Sequence, residues 1–94
     1  MITPEQIDAK LREIFAPTEL QVHDDSEQHR GHSGWQPGGS THIRVLIVSE
    51  MFNGLGRVER QRRVYETLAP ELAERVHALQ LTTRTPDEHA VVQG

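Results

Sequence analysis

The segment 41–49 constrains the fold most strongly, because its apolar residues alternate with a period of two. Ile43, Val45 and Ile47 fall on one side of the strand that this pattern predicts. The opposite side begins polar and becomes apolar towards its end, which is typical of a central strand that is covered along part of both faces. The segment therefore predicts the middle strand of a small sheet.

Helical patterns flank this strand. A capping box of Thr3 and Gln6, with Pro4 at the first helical position, predicts a helix that ends near Pro17. Its predicted apolar face contains Ile7, Leu11, Ile14 and Phe15. After a break at residues 52–56, a second and longer helix is predicted up to about residue 69, with an apolar face made of Val58, Tyr65 and Leu68. Pro70 then predicts the start of a short third helix.

Two further strands are predicted, at residues 19–23 and at residues 77–84. The element order is then α-β-β-α-α-β, which favours an α+β domain whose helices cover one face of a small three-stranded sheet. With 94 residues, the chain is expected to form one domain over residues 1–88 and a loose tail over 89–94.

Composition narrows the function classes. The chain contains no cysteine, and it lacks an apolar run of the roughly 18 to 20 residues that span a membrane. Phosphate-loop, dinucleotide-binding and zinc-protease motifs are also missing. We therefore expect a cytoplasmic protein that is not an enzyme, has no small-molecule substrate and works by binding partners.

Residues 24–40 form a glycine-rich stretch without helical or strand periodicity, which is predicted to be a loop. Long loops inside compact domains are usually functional or disordered. This loop carries His29 and His32, whose spacing allows two imidazoles to converge on a metal. Such a pair is more often solvated when it stands alone, and the same two interpretations apply to His77 at the start of the last strand.

An arginine cluster lies in the first turns of the second helix: Arg57, Arg60, Arg62 and Arg63. It can contact phosphates even though the whole chain has a net charge of −4. Alternatively, the opposite charges of Glu59 and Arg63, and of Arg62 and Glu66, neutralise a solvated helix face.

Five blocks of residues, in order and at compatible spacing, resemble the BolA family. They are Asp24-Asp25-Ser26-x-x-His29, Thr41-His42-Ile43-x-Val45 with Val48-Ser49, Phe52-x-Gly54, Arg60-x-Arg62-x-Val64-Tyr65, and Val76-His77-Ala78-Leu79 with Thr85-Pro86. The resemblance extends from the first helix to about Glu88. One position departs from it, since the usual Arg-His-Arg is Arg-Gln-Arg here, with Gln61 in the middle.

The resemblance implies a class II KH-like fold, in which the three-stranded sheet is mixed, and a monothiol glutaredoxin as partner. It further implies a [2Fe-2S] cluster shared with that partner and with glutathione, and none bound by the chain alone. By position, His77 and His29 would be the cluster ligands, with His32 as a substitute for His29. A cysteine-free chain can offer only nitrogen or oxygen ligands, so a shared site is chemically coherent.

The alternative function is that of a DNA-binding transcriptional regulator, which the resemblance also implies. Its contact surface would comprise Arg57, Arg60, Arg62, Arg63 and Gln61, since an amide can still hydrogen-bond a nucleic acid. The two roles are compatible with one another.

Overall fold

A computed structural model describes residues 3–25, 42–74 and 76–93. The helices are α1 (Pro4–Phe15), α2 (Arg57–Thr67), α3 (Ala69–Glu74) and α4 (Pro86–Gln93), and the strands are β1 (Glu19–Asp24), β2 (His42–Val48) and β3 (Ala78–Arg84). A short 3-10 helix, Glu50–Phe52, follows β2. Most of the predicted loop 24–40, including His29 and His32, lies outside the described residues.

The three strands form one sheet in the order β1-β2-β3. β1 pairs with β2 antiparallel, and β2 pairs with β3 parallel. The predicted three-stranded mixed sheet with a central β2 is therefore confirmed. The parallel pair is connected by a crossover that contains α2 and α3, and β3 is left as an edge strand.

The hydrophobic core lies between one face of the sheet and the helices. Ile43, Val45 and Ile47 are each at most 2% exposed and supply the sheet side. The helix side comes from α1, with Ile7, Leu11 and Phe15, and from α2 and its end, with Val64 and Leu68. The Phe15 ring packs against Phe52 with centroids 5.5 Å apart. The α+β layering predicted from the sequence is thus confirmed.

The predicted apolar faces of α1 and α2 are confirmed at Ile7, Leu11, Phe15 and Leu68 and need correction at the other positions. In α1 the buried stripe follows residues seven, eleven and fifteen, so Ile14 lies at its margin and is 47% exposed. In α2 the sheet contacts Val64, and Val58 and Tyr65 lie on the flank at 72% and 39% exposure. The helical spacing predicts Tyr65 as a core residue, and this prediction is wrong. The Tyr65 hydroxyl instead donates to the Leu79 carbonyl at 3.4 Å.

The C-terminal residues also differ from expectation. Residues 89–94 were expected to be a loose tail, but α4 continues to Gln93. Its start is fixed by a capping box in which the Glu88 N–H donates to Thr85 Oγ1 at 3.2 Å and the Thr85 N–H donates to Glu88 Oε1 at 2.9 Å. In the part of the chain that is described, no helix is both long and apolar enough to cross a membrane.

Candidate functional site at the two ends of the third strand

His77 lies in the turn immediately before β3, and its side chain is exposed. The residue before it, Val76, is buried at 4% exposure and its N–H donates to the Glu71 carbonyl at 3.0 Å. A buried anchor next to an exposed imidazole holds the main chain of the turn in place while the ring remains at the surface. The position of His77 is thus set by the packing of its neighbour.

The pairing of the strands brings this turn to the same end of the sheet as Asp25 and His42, the described residues on either side of the segment 26–41. His42, the first residue of β2, is in register with Ala78, the residue after His77. On the other side, the Asp25 N–H donates to the His42 carbonyl at 2.8 Å. Asp25 and His42, which flank the segment 26–41, therefore lie at the same end of the sheet as His77, with His42 on the neighbouring strand and Asp25 one strand further away. Within the described residues, no three His, Asp or Glu side chains form a metal-binding group.

Arg60 has a structural role that the sequence interpretation missed. Its side chain is only 12% exposed, and its Nε donates to the Leu55 carbonyl at 2.8 Å. The guanidinium also donates twice to the Glu88 carboxylate, at 2.6 and 3.2 Å. Arg60 therefore ties the start of α2 to the start of α4. The signal that could have pointed to Glu88 is the capping-box spacing from Thr85.

The Glu88 carboxylate has an altered acidity. The hydrogen bond from Arg60, followed by the one from the Thr85 N–H, lowers the pKa of Glu88 from 4.5 to about 2. Both donors favour the ionised carboxylate. Glu88 consequently stays charged through the neutral and mildly acidic pH range.

The other arginines of the cluster divide into two groups. Arg62 and Arg63 are 61% and 50% exposed, and both contact Glu59, at 3.6 and 3.4 Å. The predicted pair of Glu59 with Arg63 is confirmed. Within α2, however, Arg62 pairs with Glu59 and not with the predicted Glu66. These two arginines thus belong to a solvated, partly neutralised helix face.

Arg57, Arg60 and Gln61 instead line a cleft of about 660 Å³ between the start of α2 and the second half of β3. The remaining lining residues are Leu55, Gly56, Leu81, Thr82, Thr83, Arg84 and Glu88. The sequence did not reveal this cleft, because it depends on how α2 packs beside β3. The predicted contact set is therefore not one surface: three members face the cleft and two lie on the outer face.

The combination of this mixed sheet, its crossover and the histidine-bearing turn defines a class of small α+β domain. The family model of BolA-like proteins matches residues 11–88. The chain belongs to the BolA-like family.

Individual relatives agree with this assignment. The chain is 43% identical over 89 residues to the DNA-binding transcriptional regulator BolA of Escherichia coli strain K12, covering 94% of this chain and 80% of that protein. It spans about half (51%) of the chloroplastic protein BOLA1 of Arabidopsis thaliana, with 42% identity over 81 residues.

Solved structures show the same fold. BolA1 from Arabidopsis thaliana superposes with a TM-score of 0.83 at 38% identity, covering 94% of this chain and 96% of that one. The BolA domain of SufE1 from the same plant superposes with a TM-score of 0.81 at 40% identity, covering 90% and 93%.

Proposed function

We propose that this protein is a cytoplasmic, non-enzymatic adaptor that shares a [2Fe-2S] cluster with a monothiol glutaredoxin. His77 and His29 would be its ligands, with His32 as the substitute in the same segment. The proposal depends chiefly on one observation: the exposed turn of His77 lies at the end of the sheet where the segment 26–41 is attached.

The donor chemistry of the chain fits a shared cluster. A [2Fe-2S] cluster requires four ligands, usually thiolates, and this chain has no cysteine. His77 and a second histidine of this chain would ligate one iron, whereas a glutaredoxin cysteine and glutathione would ligate the other. An exposed His77 is accessible to such a partner, which a buried imidazole would not be.

Histidine ligation would also give the cluster distinct properties. Neutral imidazole in place of thiolate raises the reduction potential of a [2Fe-2S] centre. Protons compete for imidazole near pH 6 to 7, so the bound state should weaken on acidification. Such a site suits the sensing or transfer of a cluster better than its permanent storage.

Anaerobic reconstitution with a monothiol glutaredoxin and glutathione tests the proposal. The wild-type mixture should give a heterodimer, measured by native mass spectrometry, whose visible circular dichroism differs from that of the glutaredoxin homodimer. His77→Ala should remove this spectrum. Separate His29→Ala and His32→Ala variants should show which residue of the segment matters more.

His89→Ala is the matched control, because His89 follows β3 at its opposite end and contacts Arg84 at 3.2 Å. It should leave the heterodimer spectrum unchanged. If His77→Ala has the same spectrum and the same complex stability as the wild type and this control, His77 is not a ligand and the proposal fails.

A second candidate function is DNA binding, which is favoured by the similarity to the DNA-binding transcriptional regulator BolA of Escherichia coli. The exposed cations Arg57, Arg62 and Arg63 supply its local positive charge. Arg60 contributes less to this surface, since Glu88 already occupies its guanidinium. Nucleic acid would have to displace the Glu59 contacts of the two outer arginines.

Titration of duplex DNA at increasing salt measures this function. Each phosphate contact should contribute a slope of about −0.9 to the logarithm of affinity against the logarithm of salt. Removing Arg62 or Arg63 should each make that slope less steep by about one unit. Arg12→Ala, on the exposed face of α1, is the control. A salt-independent affinity, or equal losses in all variants, would count against this surface.

A further inference from the structure

The outer edge of β3 is a main-chain surface that neither proposed function uses. The Ser49 N–H, which continues β2, donates to the Arg84 carbonyl at 3.0 Å, so the main chain of Arg84 faces β2. Main-chain groups alternate between the two sides of a strand. Those of Leu81 and Thr83 therefore face away from the sheet.

Part of this edge is already occupied. The Tyr65 hydroxyl donates to the Leu79 carbonyl at 3.4 Å, which agrees with the outward direction of that residue. Among the described residues, by contrast, no hydrogen bond reaches the outward N–H and carbonyl groups of Leu81 and Thr83. The open part of the edge is consequently short and begins after Leu79.

The cleft beside α2 runs along this open part. It is lined by four consecutive residues of β3, from Leu81 to Arg84. Side chains of consecutive strand residues point to opposite faces, so a cleft that contacts all four must lie against the edge of the strand. A groove between a helix and a free strand edge is the geometry in which domains add an extended peptide as a further strand.

The charges around the groove select the kind of peptide. Three arginines, Arg57, Arg60 and Arg84, and one glutamate, Glu88, line it, which leaves two positive charges in excess. Arg57 lies on the helix side, and Arg84 lies on the other face by strand alternation. Two acidic side chains at neighbouring positions of an added strand point to opposite faces of the sheet. One would thus contact Arg57 and the other Arg84. A second copy of this chain is a poorer match, because two such grooves would oppose like charges.

From this geometry we infer that the groove between α2 and β3 binds an extended, acidic segment of a partner protein by β-strand addition at Leu81 and Thr83. The segment receives main-chain hydrogen bonds from these two residues and charge contacts from Arg57 and Arg84. This surface lies at the opposite end of β3 from His77, so a partner can occupy it independently of any cluster.

The probe is a pool of capped peptides of about six residues in which Glu or Asp alternates or pairs with Val, Ile and Thr. Titrated into the isotope-labelled protein, the pool should shift the amide resonances of Leu81 and Thr83 and slow their hydrogen exchange. The Thr82 amide, which faces β2, should exchange at an unchanged rate. A matched pool with Lys in place of the acids should bind at least about fivefold more weakly.

Two variants separate charge from main-chain pairing. Arg57→Glu should weaken binding roughly fivefold to tenfold, whereas Arg62→Glu, on the outer face of the same helix, should leave it unchanged. Thr83→Pro removes one outward donor without removing a bond to β2, and it should abolish the exchange protection of Leu81. A preserved amide spectrum elsewhere verifies that each variant is folded.

Several results would overturn the inference. These are failure of the acidic pool to shift the two amides, equal binding of the lysine pool, or equal effects of the Arg57 and Arg62 variants. Protection of the two amides that grows with protein concentration alone would assign the edge to a second copy of the chain. Shifts produced by duplex DNA and not by the peptides would assign the groove to nucleic acid.

Discussion

Ser49 offers the sharpest test of how the layers of this fold are connected. The residue is 0% exposed and follows β2 directly. Its Oγ donates to the Phe15 carbonyl at 2.7 Å and accepts the Met51 N–H at 3.1 Å. The Phe15 carbonyl is one of the last four of α1, which have no partner within the helix. One hydroxyl group therefore provides the hydrogen bond that the last carbonyl of α1 lacks and also caps the first turn of the 3-10 helix.

The cost of Ser49→Ala follows from the surroundings of each bond. The net loss of a hydrogen bond is about 1 kcal/mol, and a buried acceptor without a partner costs about 1–3 kcal/mol. Phe15 is 3% exposed, so in the variant its carbonyl would lose its hydrogen-bond donor without a water molecule to replace it. Met51 is 51% exposed, so water can accept a hydrogen bond from its N–H in place of the hydroxyl. We expect a loss of about 2 kcal/mol in the free energy of unfolding. For a domain of this size that is about 10 °C in Tm.

Urea unfolding followed by far-ultraviolet circular dichroism measures this loss, with Thr18→Ala as the control. The Thr18 hydroxyl lies 3.4 Å from the Val48 carbonyl, which also accepts the Thr18 N–H at 2.8 Å and so keeps a partner in the variant. The control should lose less than about 0.5 kcal/mol. If Ser49→Ala unfolds within about 0.5 kcal/mol of the control, the hydroxyl does not hold the layers together and the reasoning is refuted.

Three further predictions concern the helices and the edge strand. Because the pKa of Glu88 is lowered in the folded protein, its ionisation should stabilise the fold fully above pH 4.5 and progressively less as the pH falls towards about 2; a stability difference between wild type and Glu88→Gln that stays constant over this range would contradict the assignment. Val64→Ala should cost about 2 kcal/mol and Val58→Ala less than about 0.5 kcal/mol in urea unfolding, and equal costs would restore the face predicted from the sequence. Thr82→Pro should destabilise by at least about 1 kcal/mol more than Thr83→Pro in the same assay, since only the first removes a donor to β2; the reverse order would show that the edge of β3 has been assigned the wrong way.

Local patterns predicted the helices and strands up to β3 and correctly assigned three of the four residues expected on the buried face of α1, but they placed Val58 and Tyr65 of α2 wrongly in the core. Alternation in β2 and the capping box of α1 depend on neighbouring residues, and both appear as expected. Which face of α2 is buried depends on the crossover connection, because this connection determines how the helix packs against the sheet. In this packing Val64 is buried against the sheet. Val58 and Tyr65, which the sequence pattern also assigns to the apolar face, are exposed.

The candidate sites divide in the same way. His77 is a candidate through the resemblance alone, since it occurs in a block of neighbouring residues. The arginine cluster was predicted as one surface because its members are close in sequence. In the fold the cluster divides into two sides of α2. Arg60 points inwards and pairs with Glu88 of α4, whereas Arg63 points outwards and pairs with Glu59 of the same helix.

The convergence at the His77 end depends on strand direction, which no local pattern carries. If β3 ran antiparallel to β2, its first residue would lie beside Val48, and His77 would be a full strand length away from His42. The parallel register instead places Ala78 beside His42. The crossover through α2 and α3 makes this direction possible, since a parallel strand cannot follow its neighbour through a tight turn. The same crossover lays the start of α2 along the far half of β3, so one connection creates both the histidine end and the arginine-lined groove.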